Sequence, residues 1–290
     1  MREPVESVGL ARRGRRHAAA IRAAIAIALA SLAVSGSWLA AQPVFTGADI
    51  FPPEEFAARR ARVIEQIGDA VAILQGAGER PGEQPFRQNN QFFYLTGVVE
   101  PRALALIDGR AKQTTVFVPA FDERREQARF GPGLHPGSEA AHATGVDAVL
   151  AREAFAEAVA AVARAGRTIY TPLRAEVLGE SSASDAVAAA RATEQDPWDG
   201  RSSREQAFVA KLKTASPRSA IRDLDPILDA MRLIKSPREI AIIREATAIT
   251  GRAIVAAMRD AAPGRYEYEL QADAEFVFKS PAPTADPTSR

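Results

Sequence analysis

Apolar residues along this chain recur at helical spacing in some stretches and in short unbroken runs in others, with glycine and proline between them. From Pro52 to Ile67, Phe56, Val63, Ile64 and Ile67 fall on one helical face. Pro52 and Pro53 suit the start of that helix, Glu54 and Glu55 suit the positive end of its dipole, and Gly68 ends it. Ala70 to Leu74 is an apolar run of strand length, and Phe92 to Leu95 is another, read as an aromatic edge strand. Ala103 to Ile107 and Thr114 to Val118 flank a turn beginning Asp108-Gly109, which predicts a hairpin with a loop longer than the minimal type. A charged helix near Asp122 to Arg129, a Gly/Pro loop from Gly131 to Gly137, a helix from Arg152 to Ala165 and a strand around Arg167 to Thr171 follow.

Between Ala175 and Arg204 the pattern dissolves into Ser, Ala, Asp and Gly, as in a flexible surface insertion or connection. Periodicity returns in a helix from Glu205 to Leu212, a run from Ile221 to Leu224 and a short helix beginning at Pro226. Ser236-Pro237-Arg238-Glu239 is a helix start, because serine can cap, proline fits the first turn and glutamate can close a capping box. The helix it opens carries Ile240, Ile243, Thr247, Thr250, Ile254 and Met258, and Pro263-Gly264 stops it. Leu270, Ala274 and Phe278 suggest one more helix, and Ser280 to Arg290 has no apolar anchor and is expected to be disordered. Strands and helices mixed in this order predict an α/β fold.

The first residues change the picture of charge. Arg12, Arg13, Arg15, Arg16 and Arg22 precede the apolar run Ala23 to Val34 and small residues at Ala40 and Ala41, the layout of a secretory signal with cleavage expected after Ala41. An uncleaved anchor spanning Ala23 to Ala41 is the competing expectation, and it alone would make the membrane a partner. The formal charge of +1 falls to −3 without residues 1–41, leaving 31 basic and 34 acidic residues of interspersed sign, so nothing favours nucleic acid. Cysteine is absent from the 290 residues, which excludes disulfides, a thiol nucleophile and thiolate metal sites.

Candidate chemistry is sparse. Gly76-Ala77-Gly78 follows the strand ending at Leu74, but the third glycine of a dinucleotide fingerprint would fall at Pro81 and no helix pattern follows, so a plain loop is expected. His135 and His142, with Glu139 nearby, lack tight ligand spacing and read as loop histidines before metal ligands. Ser181, Ser182 and Ser184 near Asp185 have no positioned base.

Phe86-Arg87-Gln88-Asn89-Asn90-Gln91-Phe92-Phe93-Tyr94-Leu95-Thr96-Gly97, followed by Glu100-Pro101, is of another kind. It resembles the N-terminal domain of the aminopeptidase P, prolidase and creatinase family. In the same order, Met231 to Ile240 resembles the start of that family's catalytic domain, and Pro263-Gly264 with Tyr266 to Leu270 its next helix. The resemblance covers about Phe51 to Phe278 and matches poorly from Ala175 to Arg204.

It implies a creatinase-type N-terminal domain, a mixed sheet with flanking helices over residues 50–225, and the first helices of an α+β pita-bread domain over residues 226–279. The implied activity is that of an exported X-Pro aminopeptidase acting on proline-containing peptides with two manganese ions, in a homo-oligomer. The Asp, His and Glu ligands of that metal pair are expected beyond Phe278, so the chain as given is expected to lack them and to be inactive. The other expectation is a non-catalytic binding or oligomerisation module. The resemblance further implies that Arg87, Phe93 and Tyr94 help to wall a neighbouring subunit's peptide pocket, although Phe93 stands where Trp is common and Gln91 where an acidic residue is frequent.

Overall fold

The computed structural model describes residues 46–79, 86–120, 122, 133–177 and 182–280. The expected signal or anchor, the charged helix near Asp122 to Arg129 and the tail after Ser280 lie outside the described residues.

Helix α1 (Pro53–Ile67) leads into strand β1 (Val71–Gln75), helix α2 (Asn90–Thr96) and the hairpin β2 (Leu104–Asp108) and β3 (Gln113–Val118). Then come α3 (Ser138–Thr144), β4 (Ala148–Ala151), α4 (Phe155–Arg164) and β5 (Ile169–Thr171). Helices α5 (Ala183–Gln195) and α6 (Arg204–Ala215), strand β6 (Ile221–Asp223) and helices α7 (Asp225–Leu233), α8 (Pro237–Asp260) and α9 (Glu267–Lys279) complete the order. The strands form one mixed sheet in the order β4-β3-β2-β1-β5-β6. β2 is antiparallel to β1 and β3, whereas β4 runs parallel to β3, and β5 runs parallel to β1 and β6.

Side chains alternate across a strand, so β1 sends Ala72 and Leu74 to one core and Val71 and Ile73 to the other. The first core is closed by Val63 and Ile67 of α1, Phe92 and Leu95 of α2, and Leu228 of α7. Val159 and Val162 of α4 and Phe208 and Leu212 of α6 close the second. Burial on both faces explains why β1 and β2 read as continuous apolar runs. Each fully buried Phe or Leu there contributes roughly 1.5–3 kcal/mol.

The hairpin has the predicted longer loop. Asp108 Oδ1 accepts from the backbone N–H groups of Arg110 and Ala111 at 2.9 Å each, and a Cβ on Gly109 would stand 1.9 Å from the Gly68 carbonyl oxygen.

Phe92 to Leu95 is not an edge strand but the middle of α2. Asn89 Oδ1 caps that helix by accepting from the N–H groups of Gln91 and Phe92, both at 3.0 Å. Gly97 ends it at φ 65°, where a Cβ would meet the Phe56 ring at 2.9 Å. Phe92, Leu95 and Thr96, buried at helical spacing, are why the run is apolar.

Three further elements differ from the sequence expectation. Residues 183–195 form α5 within the expected insert, opened by a capping box between Ser182 and Asp185, yet it buries none of its residues. Helix α3 takes in His142 while His135 stays in the loop before it, and β4 is a four-residue strand too short to stand out. After β1, residues 76–79 form no helix, as the sequence predicts for Gly76-Ala77-Gly78.

Candidate functional site

The inward face of α1 carries two charges among its apolar residues. Phe56, Arg59, Arg60, Val63 and Ile67 are all buried. Arg60 donates to the carbonyl oxygens of Leu95 at 3.1 Å and Gly145 at 2.5 Å, and burial pulls its guanidinium below its ordinary pKa, against the field of Asp147. Arg59 does more. It donates to the Tyr94 carbonyl at 3.2 Å, to Glu55 Oε1 at 2.6 Å and to Glu239 Oε1 at 3.2 Å. Its guanidinium carbon lies 4.2 Å from the Tyr94 ring centre, 4.8 Å from that of Phe51 and 5.4 Å from that of Phe56.

The start of α8 closes this cluster. Ser236 Oγ accepts from the Glu239 N–H at 3.1 Å and donates to Glu55 Oε1 at 2.6 Å, while Glu239 Oε2 accepts from the Ser236 N–H at 2.7 Å. One carboxylate thus serves the capping box with one oxygen and Arg59 with the other.

Beside the cluster is a cavity of about 280 Å³ bordered by Phe51, Phe93, Tyr94, Arg232, Lys235 and Ile243. Phe93 is half-buried and packs edge-on against Phe56, with ring centres 6.0 Å apart. Tyr94 is buried, and its hydroxyl donates to the Met231 carbonyl at 3.4 Å. Burial first, and then the Glu239 charge, push its pKa up against Arg59, Arg62 and Arg232. Arg232 lies 5.6 Å from the Tyr94 ring centre and donates to Gln91 Oε1 at 2.9 Å, and Lys235 Nζ donates to the Arg232 and Leu233 carbonyls.

The structure therefore brings Phe93 and Tyr94 to one cavity and leaves Arg87 exposed outside its lining. Arg59 and Glu239 were not expected as site residues from the sequence. The signal for Arg59 was present, because it stands at a core-facing position between Phe56 and Val63. An aromatic wall with cations at its rim can hold an apolar side chain and orient a carbonyl or carboxylate.

The remaining candidates stay apart. His135 and His142 are exposed, and no group of three or more His, Asp or Glu side chains that could hold a metal occurs among the described residues. On α9, Asp273 pairs with Arg265 at 2.8 Å and Glu275 with Lys279 at 3.0 Å. These donors do not fit a metal pair.

Residues 56–170 match the family described as aminopeptidase P, N-terminal domain. The Xaa-Pro aminopeptidase of Escherichia coli K12 is 28% identical over 232 residues, 78% of this chain and 48% of that protein. The chain carries an aminopeptidase P family N-terminal domain. The Xaa-Pro aminopeptidase of Haemophilus influenzae is likewise 28% identical, over 78% of this chain and 47% of its own length. A solved structure of E. coli aminopeptidase P with the inhibitor Pro-Leu matches with a TM-score of 0.56 and 26% identity, covering 79% of this chain and 49% of that one. The chain thus spans about half the length of these aminopeptidase P relatives, and after the N-terminal domain it carries α8 and α9, part of a pita-bread catalytic domain.

Proposed function

We propose that this chain serves an X-Pro aminopeptidase, an enzyme that removes the N-terminal residue from peptides with proline second, as the half that flanks the peptide. The likeness to the E. coli enzyme structure with Pro-Leu carries this reading. In it, Phe93 and Tyr94 supply an aromatic surface on which a peptide lies, and the wall they form serves a neighbouring subunit of a homo-oligomer. Arg87, exposed on the segment before α2, is proposed to serve the same neighbouring pocket.

A solved relative is a zinc-substituted E. coli aminopeptidase P with product, which supports metal dependence in the enzyme that this chain serves. Manganese is the metal proposed, with two ions held by residues other than the described ones, so the chain alone is proposed to turn over no peptide. The basic and apolar order of residues 12–41 supports export to the periplasm or medium, with cleavage after Ala41.

The test is to add manganese and an X-Pro peptide to the purified chain, then measure bound metal, release of the N-terminal residue and peptide binding. Peptide binding that falls with Phe93→Ala, without turnover, is expected. About two equivalents of tight metal with turnover would overturn the division of labour proposed. Equal binding of a peptide without proline would overturn the substrate class.

A further inference from the structure

The cavity beside the Arg59 cluster is unevenly charged. Arg59, Arg232 and Lys235 border it, and Glu239 is the carboxylate in its lining. Arg59 is answered by Glu55 at 2.6 Å and by Glu239 at 3.2 Å, and the other oxygen of Glu239 is held by the Ser236 N–H. Among the described residues, neither Arg232 nor Lys235 pairs with a carboxylate; their acceptors are an amide and two backbone carbonyls.

Those neutral contacts fix the two cations without discharging them. Arg232 donates through Nη1 to Gln91 Oε1 at 2.9 Å and lies 5.6 Å from the Tyr94 ring centre, which leaves most of its five N–H donors unspent. Lys235 Nζ donates to the carbonyls of Arg232 and Leu233 at the end of α7, an ordinary capping contact. The cap explains where the ammonium sits, but carbonyls carry no formal charge, and one of its three N–H groups is left over.

The rest of the cavity is apolar where the cations are not. Phe51, Phe93 and Ile243 line it, and Ile243 is 49% exposed. Its volume of about 280 Å³ falls just under the roughly 300–1,000 Å³ of small-molecule pockets, so it suits the end of a peptide and not its length. A group with one negative charge, two acceptor oxygens and an apolar neighbour answers both halves of this lining.

We propose that Arg232 and Lys235 take the free C-terminal carboxylate of a short peptide whose last side chain, an apolar one, lies against Phe93 and Ile243. Resting on the peptidase reading above, this makes the two cations specificity-determining residues: the wall favours short peptides that end here over amidated ones. The planar guanidinium offers a carboxylate two parallel N–H groups, and the ammonium adds a point charge beside it.

The test is calorimetry and two-dimensional NMR on the whole chain with Ala-Pro-Leu as the free acid and as its C-terminal amide. The acid is expected to bind about threefold to tenfold more tightly, with amide shifts at Phe93, Arg232 and Lys235. Arg232→Gln and Lys235→Gln should each reduce that preference, and the double variant should bring the acid down to the affinity of the amide. Lys235 is exposed, so Lys235→Gln gives the reading should Arg232→Gln fold poorly. Phe93→Ala should instead weaken acid and amide by the same factor. Ala-Pro-Glu amide, with its one carboxylate on a side chain, is expected to bind no better than Ala-Pro-Leu amide; affinity equal to that of the acid would overturn the terminal assignment. Equal binding of acid and amide that still falls with Phe93→Ala would overturn the carboxylate site and leave the peptide wall standing. Ala-Ala-Leu bound as tightly as Ala-Pro-Leu, with the preference for the acid intact, would support the carboxylate site and overturn the X-Pro substrate class. An undiminished preference in the double variant, or no binding of the acid at about 10 mM, also overturns the proposal.

Discussion

One uncharged side chain of the aromatic motif is held by four hydrogen bonds. Gln88 is buried; its Oε1 accepts from the N–H groups of Ala77 at 2.5 Å and Asn89 at 2.8 Å, and its Nε2 donates to the carbonyls of Val98 at 3.2 Å and Glu100 at 3.0 Å. It joins the loop after β1 to both ends of α2, so Gln88→Ala should cost about 2–4 kcal/mol by leaving buried backbone groups unpaired, measured as a shifted urea midpoint. Charge gives two opposite pH dependences. The Arg167 guanidinium holds the Asp108 carboxyl below the usual carboxylate range, helped by the N–H groups of Ala111 and Arg110 and opposed by burial. A depressed folded pKa means that this stabilisation is complete above the unfolded value of about 3.9 and is lost as pH falls through the folded one. Asp108→Asn should therefore cost about 1.5–3 kcal/mol at pH 7 and much less near pH 3, compared by urea unfolding at both. Burial instead pushes the Glu205 carboxyl up, so its favourable contribution is present below the unfolded pKa and lost as pH rises through the folded one. Glu205→Gln should raise Tm at pH 7, and the gain should vanish below about pH 4.

At the scale of elements, α8 depends on its first turn. Ser236 caps it and also bonds Glu55, and Glu239 answers both Ser236 and Arg59, so a local cap doubles as the link between α8 and α1. Ser236→Ala should cost about 1–2 kcal/mol and speed amide exchange in the first turn of α8 more than in α1, as read by hydrogen exchange. Equal acceleration in both helices would mean that the cap and the link are not local. This cap was legible in the sequence, because Ser-Pro-Arg-Glu writes both halves of the box at fixed spacing. The hairpin β2 and β3 was legible for the same kind of reason, its apolar runs flanking Asp108-Gly109. Helix α2 was not, since a run of Phe92 to Leu95 fits strand and helix alike and only the Asn89 cap and Gly97 stop decide between them. Helix α5 hid because it buries nothing and therefore writes no stripe. Of the candidate site, Phe93 and Tyr94 could be read from their motif, and the i,i+4 pair of Arg59 with Glu55 is local, but its other hydrogen-bond partners lie on α2 and α8, 35 and 180 positions away, and no local pattern encodes such separations.

The molecule as a whole divides its burial unevenly. Both cores lie within residues ending at Met231, whereas α8 buries only Ala253 and α9 buries nothing. The first turn of α8 is held by Glu239, Ser236 and the bond from Arg238 Nε to the Ile50 carbonyl at 2.8 Å; farther along, α8 and α9 pack on each other. Ile254 is 55% exposed, Met258 70% and Phe276 73%, with Tyr266 and Tyr268 stacked and exposed beside them. Apolar side chains grouped on one helical hairpin lower their free energy by leaving water together, and two such surfaces meeting remove more area than one does alone. The chain should therefore associate as its concentration rises, with the sheet untouched. Light scattering after size exclusion is expected to show mass increasing with loading, and the double variant Met258→Glu, Phe276→Glu should return it to the mass of a single chain. Its Tm should stay within about 0.5 kcal/mol equivalent of the parent, because neither side chain belongs to a core. Unchanged association in the double variant would place the contact elsewhere, and a large fall in Tm would show that the hairpin is part of the folding unit after all.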